Sequence, residues 1–225
     1  MLRFTWSKPM NDQRTQEWYR KRLGRVTGSE LHRLRSPRSR QTYAQQIRGE
    51  FDLLKRIENG EEIDLVGAFS NNATSWGINT EPRARAMWEF RHDQNVTLTD
   101  FVIHPRFDFV GCSPDWLVPK QRGGAEAKCP YNSGVHLSTV ISDRVPDEHL
   151  PQVHGLIWIK DLDWVDFVSF DPRVDSARRY FERRVYRDEK YIDRLEDEVI
   201  EFWDYVLSGD DTQPDITAGG IPALF

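Results

Sequence analysis

The feature that most constrains this chain is a pair of short extended segments joined by a turn. Gly111-Cys112-Ser113-Pro114-Asp115 runs into Trp116-Leu117-Val118, and Ala125-Glu126-Ala127-Lys128-Cys129-Pro130 follows after Gln121-Arg122-Gly123-Gly124. The Gly-rich stretch reads as the connection of a hairpin. Side chains alternate along a strand, so Glu126 and Lys128 share one face while the small residues Ala125, Ala127 and Cys129 share the other. Asp115, at the start of the first arm, then comes beside Glu126. Two adjacent carboxylates repel unless a cation lies between them, and Mg²⁺ is a common solution. A lysine on the same face can orient a water or steady charge on a phosphate. The alternative is a surface hairpin with an ordinary Glu/Lys pair. The small apolar face favours a buried strand, in which a Glu and a Lys need partners.

A length of 225 residues, with eight Trp, twelve Phe and seven Tyr, suits one domain with an ample core. No apolar run is long enough for a membrane span, and Met1–Trp6 lacks the apolar stretch of a signal peptide, so the expectation is a cytoplasmic protein. Cys112 and Cys129 read as reduced packing residues, because no further ligands stand at zinc spacing. The net charge of −5 hides an asymmetry: residues 1–60 hold fourteen Lys/Arg against six Asp/Glu. A basic end on an acidic body fits a local channel for a polyanion, although solvated helix faces would look the same.

Along the chain, Gln13–Leu23 reads as a helix ended by Gly24. Thr27 or Ser29 can cap a second helix, Glu30–Leu34. Arg22, Arg25 and Ser29 gather at that turn, which suits either a cap or an anion seat. Ser36–Arg40, containing Arg38 and Arg40, reads as a basic loop before a helix over Thr42–Asn59, touching DNA backbone or serving as a soluble connection. Residues 60–72 read as loop with a short helix, and a helix from Ser75 to about His92 carries Glu81 in its first turns, where a carboxylate suits the helix dipole. Strands are expected at Asn95–Leu98, Phe101–His104 and Phe107–Val110, then in the two hairpin arms. Leu150–Ile159 reads as a helix with Pro151 at its start, and Gln152 and His154 can face the site. Strands at Trp164–Phe170 and Tyr180–Tyr186 and a helix over Asp188–Leu207 complete the pattern. The tail from about residue 208 is expected to fray, or to dock Ile221–Phe225 on a neighbour. The order predicts an α/β (α+β) fold with a central mixed sheet flanked by helices.

Five blocks in order then carry a resemblance: Leu23–Glu30, Trp76–Glu81, Cys112–Asp115, Glu126–Pro130 and Gln152-Val153. Together they resemble the lambda exonuclease, or YqaJ-type viral recombinase, group of PD-(D/E)xK nucleases, over roughly residues 15–190. The resemblance implies a single nuclease domain with a restriction-endonuclease-like core. It implies a Mg²⁺-dependent 5′→3′ exonuclease, with Mn²⁺ as a possible substitute, that degrades one strand of linear duplex DNA to mononucleotides. The product would be a 3′ overhang for a single-strand annealing partner, in a phage or prophage protein working as a homotrimeric ring on DNA ends. By residue it implies Asp115, Glu126 and the Ala127 carbonyl as metal ligands, Lys128 as the group that positions water, and Glu81 as a further acid near the metals. Gln152 would stand beside the site, and Arg22, Ser29 and Ser113 would hold a terminal 5′-phosphate. Arg25, Arg38 and Arg40, in the basic N-terminal third, are expected to contact DNA. Ala127 departs from the bulkier aliphatic residue often found there. Trp116 stands where the family often has glycine and is expected to alter contacts with DNA. The rival readings are a site-specific or structure-specific endonuclease of the same fold, an end-binding scaffold, and a structural protein.

Overall fold

The computed structural model describes residues 13–68, 72–118 and 120–209. The expected tail behaviour, including docking of Ile221–Phe225, lies outside them.

The chain builds two sheets between helical layers. Helix α1 (Gln16–Arg22) is capped by Thr15, whose hydroxyl accepts the Trp18 amide proton. Strand β1 (Val26–Thr27) leads into a 3-10 helix at Gly28–Arg35, which replaces the α-helix expected at Glu30–Leu34. Thr27 stands at its N-cap without making the side-chain cap. Helix α2 begins at Pro37 and runs to Glu58, capped by Ser36. The expected basic loop is therefore the first turn of this helix, since proline at its start has the backbone angle that a helix needs. Helix α3 (Leu65–Ala68) precedes α4 (Asn72–His92). The earlier start of α4 puts Glu81 well inside the helix, directly before Pro82, so the dipole argument for that acid does not apply.

Strands β2 (Val102–Ile103) and β3 (Val110–Cys112) join β1 in a sheet of order β1-β3-β2. The stretch 95–98 contributes only a bridge between Thr97 and Leu117, not a strand. Strands β4 (Trp116–Val118), β5 (Gly123–Lys128), β6 (Trp164–Phe170) and β7 (Tyr180–Tyr186) form the second sheet in that order. β4/β5 and β6/β7 are antiparallel, whereas β5/β6 is parallel. The crossover between β5 and β6 holds α5 (Ser133–Ser142), absent from the sequence reading, and α6 (Leu150–Lys160). Helix α7 (Glu189–Ser208) closes the described chain.

Gly123 and Gly124 belong to β5, not to the turn. A Cβ at Gly123 would stand 2.2 Å from the Trp164 indole, so glycine is what lets that ring lie flat across the sheet. Alternation sorts the core. Val165 and Phe167 of β6 pack with α2, α6 and α7, whereas Trp164, Val168 and Phe170 pack with Trp88 of α4, Trp116 and Ala125. Ala127 and Cys129 lie against this second cluster, as the strand pattern requires. Trp116 is wholly buried beside Trp88, with ring centroids 6.3 Å apart. It is sealed in the core, which overturns the expectation that it alters DNA contacts.

Candidate active site

Opposite that apolar face, β5 presents Glu126 and Lys128 toward α6. The Lys128 ammonium lies 2.9 Å from Glu126 Oε1 and donates to Gln152 Oε1 at 2.8 Å. Gln152 is aimed there by the first turn of α6, which Pro151 opens. His154, two residues on, points elsewhere: its ring stacks on Tyr191 at 3.9 Å between centroids. Burial pulls its pKa down to about 4.

Asp115 sits at the mouth of β4. Its Oδ2 accepts the Ala127 amide proton at 2.6 Å, and its own amide donates to the Ala125 carbonyl at 3.2 Å. The acid is thereby locked in register beside Glu126. Burial, then the charges of Glu126 and Glu81, raises the Asp115 pKa well above the usual carboxylate range. Glu126 is raised too, by burial and by Glu81, with Lys128 and Gln152 opposing. Lys128 is drawn down by burial, but Glu126 and Asp115 outweigh that and its pKa ends up raised. The lysine is therefore held charged between two acids that resist ionising together.

The residues fit a divalent cation. Glu126 Oε2 is buried and has no hydrogen-bond partner among the described residues. A buried carboxylate oxygen without a donor leaves room for a cation beyond the Lys128 ammonium, which serves the other oxygen. Asp115 and Glu126, both hard oxygen donors, suit Mg²⁺ or Mn²⁺ rather than a thiophilic metal. Cys129 lies close by but is protonated, its pKa pushed up to about 12 by burial and neighbouring acids.

A second set of residues comes together around Trp18. The Arg22 guanidinium lies 4.3 Å over the Trp18 ring and 5.6 Å from the Phe101 ring. It reaches Ser29 Oγ at 3.4 Å, while Trp18 Nε1 donates to Ser113 Oγ at 3.2 Å. Arg22, Ser29 and Ser113 thus share one neighbourhood, and Ser113 is two residues from Asp115. Burial lowers the Arg22 pKa, with the charges of Glu30 and Glu50 opposing. Phe101 can pack beside Arg22 because Gly111 has no side chain: a Cβ there would meet the Phe101 ring at 2.3 Å.

The other arginines differ. Arg25 donates to the Asp108 carbonyl at 2.7 Å and the Lys21 carbonyl at 2.6 Å, clamping the loop before β1. Arg40 is buried and paired with Glu201 at 2.8 Å, joining α2 to α7. Arg38 is exposed.

Two site-edge residues escape sequence reasoning. Arg14 lies 2.6 Å from Glu81 Oε2. His149, just before α6, stacks on Phe167 at 5.3 Å, and burial, then Lys128 and His32, holds its pKa down at about 4. Neither belongs to a spacing pattern, and only the tertiary fold brings them in. Away from this site, His92, Asp166 and Glu182 offer atoms within 4.8 Å of one another, close enough for a metal. Arg184 already spans both Asp166 oxygens at 2.8 and 2.9 Å, and Trp88 Nε1 donates to Asp166 at 3.0 Å. That cluster is charge-compensated without an ion.

Comparison with known proteins decides the family. The profile of the YqaJ-like viral recombinase domain matches residues 17–163. The chain belongs to this family. An alkaline exonuclease from Laribacter hongkongensis, LHK-Exo, shares 31% identity and a TM-score of 0.75, over 86% of this chain and 93% of that one. The same enzyme solved in complex with dAMP gives 32% identity and the same TM-score and coverage. A phage-related exonuclease from Haemophilus somnus 129PT, at 18% identity and a TM-score of 0.60 over 82% of this chain and 95% of that one, shares the fold. No curated protein matches the chain. The expected α+β architecture of mixed sheets flanked by helices is the one these nucleases have.

Proposed function

We propose that the chain is a single-domain, Mg²⁺-dependent 5′→3′ exonuclease, with Mn²⁺ as an alternative ion. It would degrade one strand of linear double-stranded DNA to 5′-mononucleotides and leave a 3′ overhang. The observation that carries this reading is the convergence of Asp115, Glu126 and Lys128, with Glu126 Oε2 buried and without a hydrogen-bond partner among the described residues. Kinship with LHK-Exo supports it, and that relative's complex with dAMP, a mononucleotide, fits the proposed product.

Asp115, Glu126 and the Ala127 carbonyl would hold the ion, with Glu81 at its edge. When bound, a divalent cation would supply Lewis acidity toward the phosphate and lower the pKa of the attacking water. Lys128, kept charged by its acidic neighbours and steadied by Gln152, orients that water and offsets charge on the phosphate. Hydrolysis breaks the P–O3′ bond: O3′ leaves with a proton, and the shortened strand gains a new 5′-phosphate. Arg22, with Ser29 and Ser113, would bind that phosphate and so set polarity, each turnover presenting the next terminal anion. Of Arg25, Arg38 and Arg40, exposed Arg38 is the best placed for the DNA backbone. Arg25 and Arg40, tied to carbonyls and to Glu201, would act on DNA mainly by shaping that surface.

We further propose a homotrimeric ring around DNA and a single-strand annealing partner, working in the cytoplasm of a phage-infected or prophage-bearing bacterium. No helix among the described residues is long and apolar enough to cross a membrane. The test is a linear duplex beside a closed circle, each with Mg²⁺ and with EDTA. Loss of the linear DNA alone, from its 5′ ends and only with Mg²⁺, is the expected result. Cutting of the circle would favour a structure-specific or site-specific endonuclease.

A further inference from the structure

Past Lys128 the chain builds an aromatic wall that has no part in the chemistry above. Strands β5 and β6 run parallel, with Lys128 opposite Ser169, so both leave the sheet at the same edge. Tyr131 lies just beyond the first exit and Arg173 just beyond the second. The two exits are tied together. Arg173 donates to the Pro130 carbonyl at 3.1 Å and to the two Asp171 oxygens at 2.9 and 2.8 Å. Its guanidinium lies 4.0 Å over the Trp76 ring of α4. That indole meets the Tyr131 ring edge to face, with centroids 6.4 Å apart, and Tyr131 stays 57% exposed. The wall borders the carboxylates. Trp76 shares α4 with Glu81, and the thiol of Cys129 is pushed up by burial, then by the charges of Asp115, Glu81 and Asp171 together.

A phosphate is a poor match for this wall. Hydrogen bonds from Arg173 hold the Asp171 carboxyl below its ordinary pKa, so the guanidinium's charge is already matched. What remains is a rigid, flat surface with an open tyrosine ring. Behind it Trp76 Nε1 is a buried donor without a hydrogen-bond partner among the described residues. A nucleobase fits such a surface, because every base has a π-face and stacking holds a strand whatever its sequence. The chemistry also creates the need. Glu126 is buried and Lys128 half-buried, so a strand must part from its complement to bring a phosphodiester to them, and its bases then lose their stacking neighbours. We propose that Tyr131, fixed by Trp76 and Arg173, is a stacking seat for the nucleobase beside the scissile phosphate on the strand being degraded. This rests on the nuclease reading above.

The experiment measures the first cleavage by the full-length protein in Mg²⁺, under single-turnover conditions, on two linear 5′-phosphorylated duplexes. Both end in two mismatched pairs, so neither has terminal pairing to break. In one duplex the two terminal nucleotides of the 5′ strand carry bases, and in the other they are abasic. Tyr131→Phe keeps the ring, whereas Tyr131→Leu keeps apolar bulk against Trp76 and removes the π-face. The wild type and Tyr131→Phe should cut the base-carrying end roughly tenfold faster than the abasic one, the scale of one base–aromatic stack. Tyr131→Leu should cut both at the slower rate. A wild type indifferent to the missing bases, or a Tyr131→Leu that keeps the wild-type ratio, overturns the stacking seat while leaving the nuclease reading intact. A wild type that cuts no linear duplex removes the nuclease reading and this inference with it.

Discussion

Asp115 accepts the amide proton of Ala127, the residue between Glu126 and Lys128, at 2.6 Å. One hydrogen bond thus ties the acid that opens β4 to the strand that carries the other two groups. The site is a property of the β4/β5 register, and a slip of one residue would turn Glu126 and Lys128 into the apolar core behind them.

The same relationship makes stability depend on pH. Burial, then Glu126 and Glu81, raises the Asp115 pKa above its ordinary value. The folded chain then binds this proton more readily than the unfolded chain does. In metal-free protein, stability is accordingly lost as pH rises from about 3.9, the ordinary Asp value, through the folded pKa. Asp115→Asn should raise the Tm of metal-free protein at pH 8 by a few degrees, on the order of 1 kcal/mol. The gain should vanish near pH 4. Adding Mg²⁺ at pH 8 should stabilise the wild type and leave the variant unchanged. Melting curves at both pH values check this, and a variant less stable than wild type at pH 8 without metal would contradict it.

Arg22 should matter most where the DNA end carries a phosphate. Between the Trp18 and Phe101 rings it is desolvated and within reach of Ser29. Arg22→Ala should slow initiation on 5′-phosphorylated ends by roughly tenfold or more, the scale of a lost charge-assisted hydrogen bond. On 5′-hydroxyl ends the loss should be smaller. Single-turnover rates on the two substrates check this, and equal losses would count against the phosphate seat.

The glycine under Trp164 is a structural prediction independent of chemistry. The indole lies between Gly123 and the Arg184 guanidinium, which stands 3.5 Å over the ring. Gly123→Ala should destabilise the protein by about 1–3 kcal/mol through overpacking, lowering the Tm by several degrees. A variant that melts with the wild type would show that the ring can move aside.

The site was legible in the sequence to the extent that it follows strand periodicity. The alternation Ala125-Glu126-Ala127-Lys128 separates an apolar face from a charged one, and the structure keeps that separation. Gln152 is legible as an early residue of a proline-started helix, whereas His154 on the same helix turns away to Tyr191. The missed features depend on tertiary context. Helix α5 carries Gly134 and several β-branched residues, and it forms under an Asn132 cap on the Gly134 amide at 2.9 Å. The alternation at 95–98 looks like a strand, but among the described residues only Thr97 pairs with another backbone segment. Arg14 and Glu81 are 67 positions apart, a pairing that no local pattern announces.

The most direct test of the account is cleavage of a 5′-phosphorylated linear duplex by wild type and Lys128→Ala in Mg²⁺, with end binding measured alongside. Lys128 touches Glu126 and Gln152 and sits among the proposed metal ligands. Its loss should reduce the cleavage rate by roughly 10²–10³-fold or more, the scale seen when a fixed electrostatic group is removed from an active site. The predicted result is mononucleotide release by the wild type and bound but uncut DNA with the variant. Substantial turnover by Lys128→Ala, or none by the wild type, would contradict the assignment of Asp115, Glu126 and Lys128 as the working site.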